Sequence, residues 1–377
     1  MTEIKKARQS NFELLRIFAM LLIVMSHLCQ HGVWFAPYAE VTTNYYVRQA
    51  FSNWTGALGN YLFILTSGFF IANSKFSWKK VFRLWFQVFS IAAVIGVALY
   101  VSKVPLIGFD RQPEYIERGF FDAASPASLK DLVRSFAPTL FGNNWFASAY
   151  LLFYMMTPFL NESLKYLDEK KHRNLIILIT SVTIIACVTK QGIYHPSNIF
   201  AFVIGYYIAN YIRLNNPNLL NNQRRNVILS VLILAFFVVW KFVIIRFRST
   251  IPFIDGNFDK LIAYPMSMNR FFMVLLAVLV FSFFKNLKIK HNKFVNTVAG
   301  TTFGVYLIHE NLLLKKVIWH RVFRFDDFIE SDYLILYMLL AVIVTFAACA
   351  CIDLLRQRFV EKPVLGLWDR IAERRGK

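Results

Sequence analysis

The sequence predicts an all-α, polytopic integral membrane protein, and three features carry that prediction. Apolar residues make up 57% of the 377-residue chain and aromatic residues 17%, with a positive mean hydropathy, a composition too apolar for an ordinary soluble domain. Apolar runs near twenty residues recur about ten times, each long enough to cross a bilayer as a helix. Lys and Arg gather between those runs in every second connection.

In chain order the runs fall at 13–33, 54–73, 82–102, 144–161, 174–190, 197–213, 226–246, 263–284, 300–317 and 333–355. The start of the eighth is ambiguous around 266, so nine or eleven crossings are the alternatives. The first run is long, contains an Arg and lacks a small-residue cleavage site, so it reads as a retained helix rather than a signal peptide. Lys5, Lys6 and Arg8 precede it, and the alternation continues with Lys75, Lys79, Lys80 and Arg83, then Lys165, Lys170, Lys171 and Arg173. Arg213, Arg224 and Arg225, then Lys285, Lys288, Lys290 and Lys293, and the tail ERRGK complete it. The positive-inside rule places these clusters and both termini in the cytosol. The expectation is a multi-pass protein of the cell membrane whose residues 1–377 form one transmembrane domain.

The connection at 103–143 is then extracytoplasmic. Its basic residues Lys103, Arg111, Arg118, Lys130 and Arg134 meet Asp110, Glu114, Glu117, Asp122 and Asp131, and Pro105, Pro113, Pro126 and Pro138 prevent one continuous helix. The 31–53 connection carries Trp34, Tyr38, Tyr45 and Tyr46, with Trp54 just after it; these suit an interfacial aromatic belt or, alternatively, a sugar-stacking platform.

The formal charge of +20 does not imply nucleic acid, because the basic residues lie in short inter-span clusters rather than along one face. Cys29, Cys187, Cys349 and Cys351 sit in apolar runs without CxxC or Cys/His spacing, so they read as packing residues and no metal is expected. GxxxxGK, GxGxxG and HExxH are missing, and none of the seven histidines is followed by Asp five residues on.

The opening run, NFELLRIFAMLLIVMSHLCQH at 11–31, places a guanidinium and an imidazole inside an apolar helix. Arg16 and His27 are eleven positions apart, within about 20° of the same face and about 16 Å along the axis. Glu13 stands three residues before Arg16, where a local ion pair holds the guanidinium. Intramembrane ionisable groups point to function by default, the alternatives being an Arg that snorkels to the headgroups and a His bonded to a neighbouring helix. Neutral His27 is suited to take a proton from a hydroxyl. His31 lies one turn further on. His172, His195, His291 and His320 read as surface residues.

Arg16-x10-His27 with the acid before it resembles the opening of the membrane-bound acyltransferase family 3. GALGNYLFILTSGFFI at 56–71, ending in Ser67, Gly68 and Phe69, is similar to the family's second-helix pattern. WKKVFRLW at 78–85 resembles its basic pair at the cytosolic mouth of the third helix, with Lys80 in place of the usual first Arg and Arg83 retained; Lys79 adjoins them. NNWFASAYLLFYMMTPFLN at 143–161, with Trp145, resembles the fourth helix. TTFGVYLIHENLLL at 301–314 resembles a late Tyr-Leu-x-His helix and supplies Tyr306, His309 and Glu310; Phe359, Glu361 and Pro363 echo a short pattern after the last helix. The ordered set covers most of the chain.

The resemblance implies acyl transfer, usually acetyl, from cytosolic acyl-coenzyme A to a hydroxyl of a cell-envelope glycan or lipid-linked sugar. Acetyl-CoA is then the donor, with its nucleotide end on Lys79, Lys80 and Arg83. His27 and Arg16 become the catalytic pair, and Glu13, Ser67, Trp145, Tyr306, His309 and Glu310 support or contact the acceptor. The expected partners are acyl-coenzyme A, the sugar acceptor and membrane lipid; a homo-oligomer is left open. His309 also suits an interfacial anchor. The rival from another class is a non-catalytic exporter of glycans or lipid-linked sugars, which shares the spans, the intramembrane charge and the aromatic loops.

Overall fold

The computed structural model describes residues 8–32, 42–72, 74–105, 126–141, 144–188, 198–268 and 270–375. Trp34, Tyr38, Asn143, His195 and residues 106–125 lie outside them.

The longer helices, in chain order, are α1 (Ser10–His31), α2 (Thr43–Phe51), α3 (Trp54–Ile71), α4 (Trp78–Ser102), α5 (Leu129–Ser135), α6 (Trp145–Leu164) and α7 (Glu169–Val188). Then come α8 (Asn198–Asn210), α9 (Gln223–Phe247), α10 (Phe271–Lys285), α11 (Lys293–Ala299), α12 (Thr302–His309), α13 (Leu334–Arg356) and α14 (Lys362–Arg375). The only β pairing among the described residues is an isolated bridge between Pro105 and Pro126.

Five stretches of the described residues are helical, long and apolar enough to cross a membrane: α1, α4, α9, the run Phe258–Lys285 that contains α10, and the run Leu334–Ile371 that contains α13. The predicted runs at 54–73, 144–161, 174–190 and 197–213 are also helical, as α3, α6, α7 and α8. The run at 300–317 departs from expectation. Its helix α12 stops at His309, Glu310 adopts a non-helical cap, and helix resumes at Leu314. Exposed apolar side chains line the faces of α9 and α13, among them Val239, Phe242, Leu336 and Ile343, surfaces of a size that a soluble monomer does not leave to water.

The chain forms two compact units. The first comprises 1–30, 41–75 and 155–300. Within it α3 packs on α8 and α10, and α9 packs on α10 and α2. Glycine makes the α3 contacts possible: a Cβ on Gly59 would lie 2.5 Å from the Ala19 carbonyl oxygen of α1, and one on Gly205 of α8 would lie 2.3 Å from Ile64 of α3. Small residues let apolar helices approach this closely.

Helix ends in this unit are closed by side chains from other helices, as buried carbonyls demand. Arg213 donates to the Phe69 carbonyl at 2.8 Å and Asn210 to that of Gly68 at 3.1 Å, capping α3. Asn11 donates to the Phe284 and Lys285 carbonyls at 3.1 Å, capping α10. Lys241, only 2% exposed in the middle of α9, gives its ammonium to the Gln49 carbonyl at 2.6 Å, the Ser52 carbonyl at 3.1 Å and the Ser52 hydroxyl at 2.5 Å. A cation at a helix C-terminus also meets the negative end of the helix dipole, so Lys241 ties α2 to α9.

The second unit comprises 31–40, 76–154 and 301–377. Here α12 packs on α4 and α13, and α4 packs on α5, where Gly96 lies close to Ser135. Ser128 and Asp131 form a reciprocal capping box at the start of α5. A turn of π-helix, Gln357–Glu361, joins α13 to α14, and Trp368 of α14 stacks on Phe82 of α4 with ring centroids 4.5 Å apart.

Lys241→Met is expected to take the ammonium from the Gln49 and Ser52 carbonyls, which keep only the Ser52 hydroxyl and the Trp54 N–H as donors, and to cost about 1–3 kcal/mol. Thermal unfolding of the detergent-solubilised protein checks this through a lower melting temperature, and hydrogen exchange through faster exchange at 43–52; unchanged values of both would refute the capping role.

Candidate functional site

In the first unit the candidate residues are carried by α1 and α3. Helix α1 is unbroken from Ser10 to His31, so Arg16 and His27 keep the angular relation that their spacing implies. The expected ion pair is formed: Arg16 donates to Glu13 at 3.1 Å, and Arg8 lies 4.0 Å from the other Glu13 oxygen. Glu13 is also favourably placed in the first turn of the helix, near the positive end of its dipole. Arg16 and His27 are each partly exposed. Ser67 is partly buried on α3, next to the Gly68 and Phe69 carbonyls that Asn210 and Arg213 cap.

In the second unit α12 collects Tyr306, His309 and Glu310 at one end. His309 is fully buried, which does not suit an interfacial anchor. Its Nδ1 lies 2.6 Å from the Val305 carbonyl oxygen; a carbonyl only accepts, so Nδ1 carries a proton. The Tyr306 ring is enclosed by Phe303, Phe146 and the edge of the His309 imidazole. Glu310, on the cap, accepts from Lys315 at 2.7 Å and lies 3.4 Å from His31 Nε2. The Lys315 ammonium is itself 3.5 Å from that same nitrogen. One carboxylate is thus shared by an ammonium and an imidazole, while the His309 imidazole stands one residue away. Such a set can hold a proton and hand it on. Trp145, at the start of α6, is partly exposed and meets Phe146 edge to face.

The basic residues of α4 are less free than the sequence suggests. Lys79 pairs with Asp369 of α14, and Arg83 Nε donates to Glu361 at 2.6 Å. Lys80 is exposed. Behind Arg83 the charges continue inward: Arg356 donates to the second Glu361 oxygen at 2.7 Å and to Asp353 at 2.7 Å, and Gln357 donates to Asp353 at 2.6 Å. Asp353 is fully buried on α13 and its carboxylate sits against the backbone of Gly304, where a Cβ would come within 2.1 Å of it. Gly304 therefore lets α12 lie directly on the carboxylate.

Other expectations need correction. His172 and His320, read as surface residues, are buried. His172 bonds the Tyr207 carbonyl through Nε2 at 2.9 Å and packs edge to face on Tyr207 and Tyr211, and the burial pushes its pKa below the usual histidine value. His291 is exposed as expected. Cys349 is buried, but Cys351 faces outward from α13 and packs no core.

The sequence reading missed Asp353, Arg356, Lys241, Lys315 and Gly304. A signal existed for three of them. Lys241 interrupts the apolar string FVVWKFVII, and Asp353 with Arg356 forms an i,i+3 pair at the end of an apolar helix. Nothing local marks Gly304, whose role depends on a side chain 49 positions further along.

These features define a helical membrane protein with ionisable groups held inside apolar helices. The sequence model of a family described as "Acyltransferase domain" matches residues 9–355, and the chain belongs to that family, acyltransferase family 3. No curated protein and no solved structure gives a significant match.

Gly304→Ala is expected to force α12 away from Asp353 at a cost of about 1–3 kcal/mol, the range for overpacking a filled site. Both the melting temperature and acyl transfer should fall; wild-type values for the two would show that the contact is not needed.

Proposed function

We propose that this acyltransferase moves an acyl group, acetyl first among the candidates, from cytosolic acyl-coenzyme A to a hydroxyl of a cell-envelope or exported glycan. The observation that carries the proposal is the polar face of α1, where Arg16 is held by Glu13 and His27 follows on the same side of one unbroken helix. That pairing stands in a chain of the acyltransferase family.

The chemistry is a direct acyl transfer, with an acyl-imidazole formed on His27 as its variant. Neutral His27 takes the proton of the acceptor hydroxyl as its oxygen attacks the thioester carbonyl. The tetrahedral intermediate collapses, the carbon–sulfur bond breaks, and the imidazolium returns its proton to the departing thiolate. Arg16 serves by position or by binding phosphate, because about 16 Å is too far for a large effect on the His27 pKa. Lys80 and Arg83 take the nucleotide end of the donor, and Lys79 supports them. Tyr306, His309, Glu310, Trp145 and Ser67 contribute to acceptor binding or proton handling.

The membrane arrangement proposed with this role has about ten spans and both termini in the cytosol, in the cell membrane. It places a cytosolic donor and an external acceptor within reach of one protein.

His27→Ala is expected to abolish acyl transfer, a loss of at least a hundredfold for a general base, while the protein still accumulates in membranes. Transfer is measured with labelled acetyl-CoA and by mass spectrometry of envelope glycans from cells with and without the gene. Near-normal acylation by the variant would remove His27 from the mechanism. Failure of the wild-type protein to bind or hydrolyse acetyl-CoA would instead favour a non-catalytic exporter.

A further inference from the structure

The charges behind the basic residues of α4 form an alternating series that runs from the exterior into the second unit: Arg83, Glu361, Arg356, Asp353. Only its outermost member is exposed. The Arg83 side chain is 55% exposed, Glu361 4%, Arg356 9% and Asp353 0%. The inner three are locked by short bonds, with Arg356 gripping a carboxylate at each end and Gln357 closing the Asp353 side. Glu361 is therefore a carboxylate whose position is set before anything binds. The π-turn that carries it, the Phe82–Trp368 stack and the Lys79–Asp369 pair fasten the same stretch of chain to α4.

Glu361 holds Arg83 through Nε, and that choice of nitrogen matters. A guanidinium has two edges able to make paired bonds, one using Nε and one terminal nitrogen, the other using both terminal nitrogens. With Nε taken by Glu361 and the Arg83 side chain 55% exposed, Glu361 does not use the edge that carries both terminal nitrogens. That edge is the fork that matches two phosphate oxygens.

We infer that Glu361 is a positioning residue which presents Arg83 to the diphosphate of the acyl donor and so selects nucleotide-bearing thioesters over shorter ones. The inference rests on the proposed role of Arg83 in donor binding and adds the residue that organises it. It also accounts for a carboxylate beside an anion site, where charge alone would repel the ligand. Because repulsion and positioning predict opposite signs for its removal, the two are separable.

The experiment uses the full-length purified protein in nanodiscs, with acetyl-CoA and S-acetylpantetheine, which lacks the nucleotide and diphosphate, as alternative donors. Glu361→Gln is expected to raise the KM for acetyl-CoA about tenfold, the loss of roughly one charge-assisted bond, with little change in kcat and none in the KM for S-acetylpantetheine. A lower KM for acetyl-CoA would show that Glu361 acts only by repulsion and would overturn the inference, as would an equal loss with both donors, the signature of a merely structural role.

Arg356 loses a charged partner in this variant, so Arg83→Lys provides a second arm at an exposed site. It keeps the charge, loses the fork and is expected to raise the acetyl-CoA KM to a similar degree. The double variant should then add little to either single change, since coupled residues are not additive; full additivity would refute action through Arg83. Titration of coenzyme A into the wild-type protein separates the two levels. Absence of binding defeats the donor assignment and this inference with it, whereas wild-type binding and turnover with an unchanged KM in Glu361→Gln defeats this inference alone.

Discussion

A charge placed among apolar helices has to bring its partner with it, and the architecture of this chain follows from that requirement. An unpaired ion in such surroundings costs several kcal/mol, and an unpaired backbone carbonyl costs a smaller but comparable amount. Both debts are met with the same groups. Lys241 and Arg213 sit among apolar side chains and end on the open carbonyls of α2 and α3. Each cation thereby closes a helix, and each helix end neutralises a cation. In the second unit the same demand is met by alternating carboxylates and guanidinia from Asp353 outward.

Close backbone approach is the second condition, and it serves the first. Hydrogen bonds between side chains and helix ends reach only when the helices are near, and glycine supplies that proximity at Gly59, Gly205 and Gly304. At Gly304 the absent side chain admits the Asp353 carboxylate, which seats α12 on α13, and α12 carries His309 into full burial. A buried imidazole and an ion-pair series are thus linked through one missing methyl group.

How much of this was legible in the sequence depends on how far apart the partners lie. Hydropathy located the helices because lipid-compatible runs are a property of neighbouring residues, and nearly all of the predicted runs are helical; α12 falls short because Glu310 caps it early. The Glu13–Arg16 pair was readable for the same reason, three positions being one turn. His172 and His320 were misread because each stands among charged residues in sequence, yet burial is decided by what packs over a side chain. For His172 that is Tyr207 and Tyr211, 35 and 39 positions away. Lys79, Lys80 and Arg83 were read as three equivalent cations. Two of them are committed to carboxylates nearly 300 positions distant.

The sequence by itself determined that the chain is helical and membrane-embedded, that an imidazole and a guanidinium share one face of its first helix, and that its motifs follow the order of an acyltransferase family. These are consequences of composition and of the 3.6-residue period, which act over a few turns of one helix. Only the tertiary structure decided which cations are spoken for, which histidines are buried, and which edge of Arg83 is left open. Those properties belong to pairs of groups on different helices, and packing alone brings such pairs together.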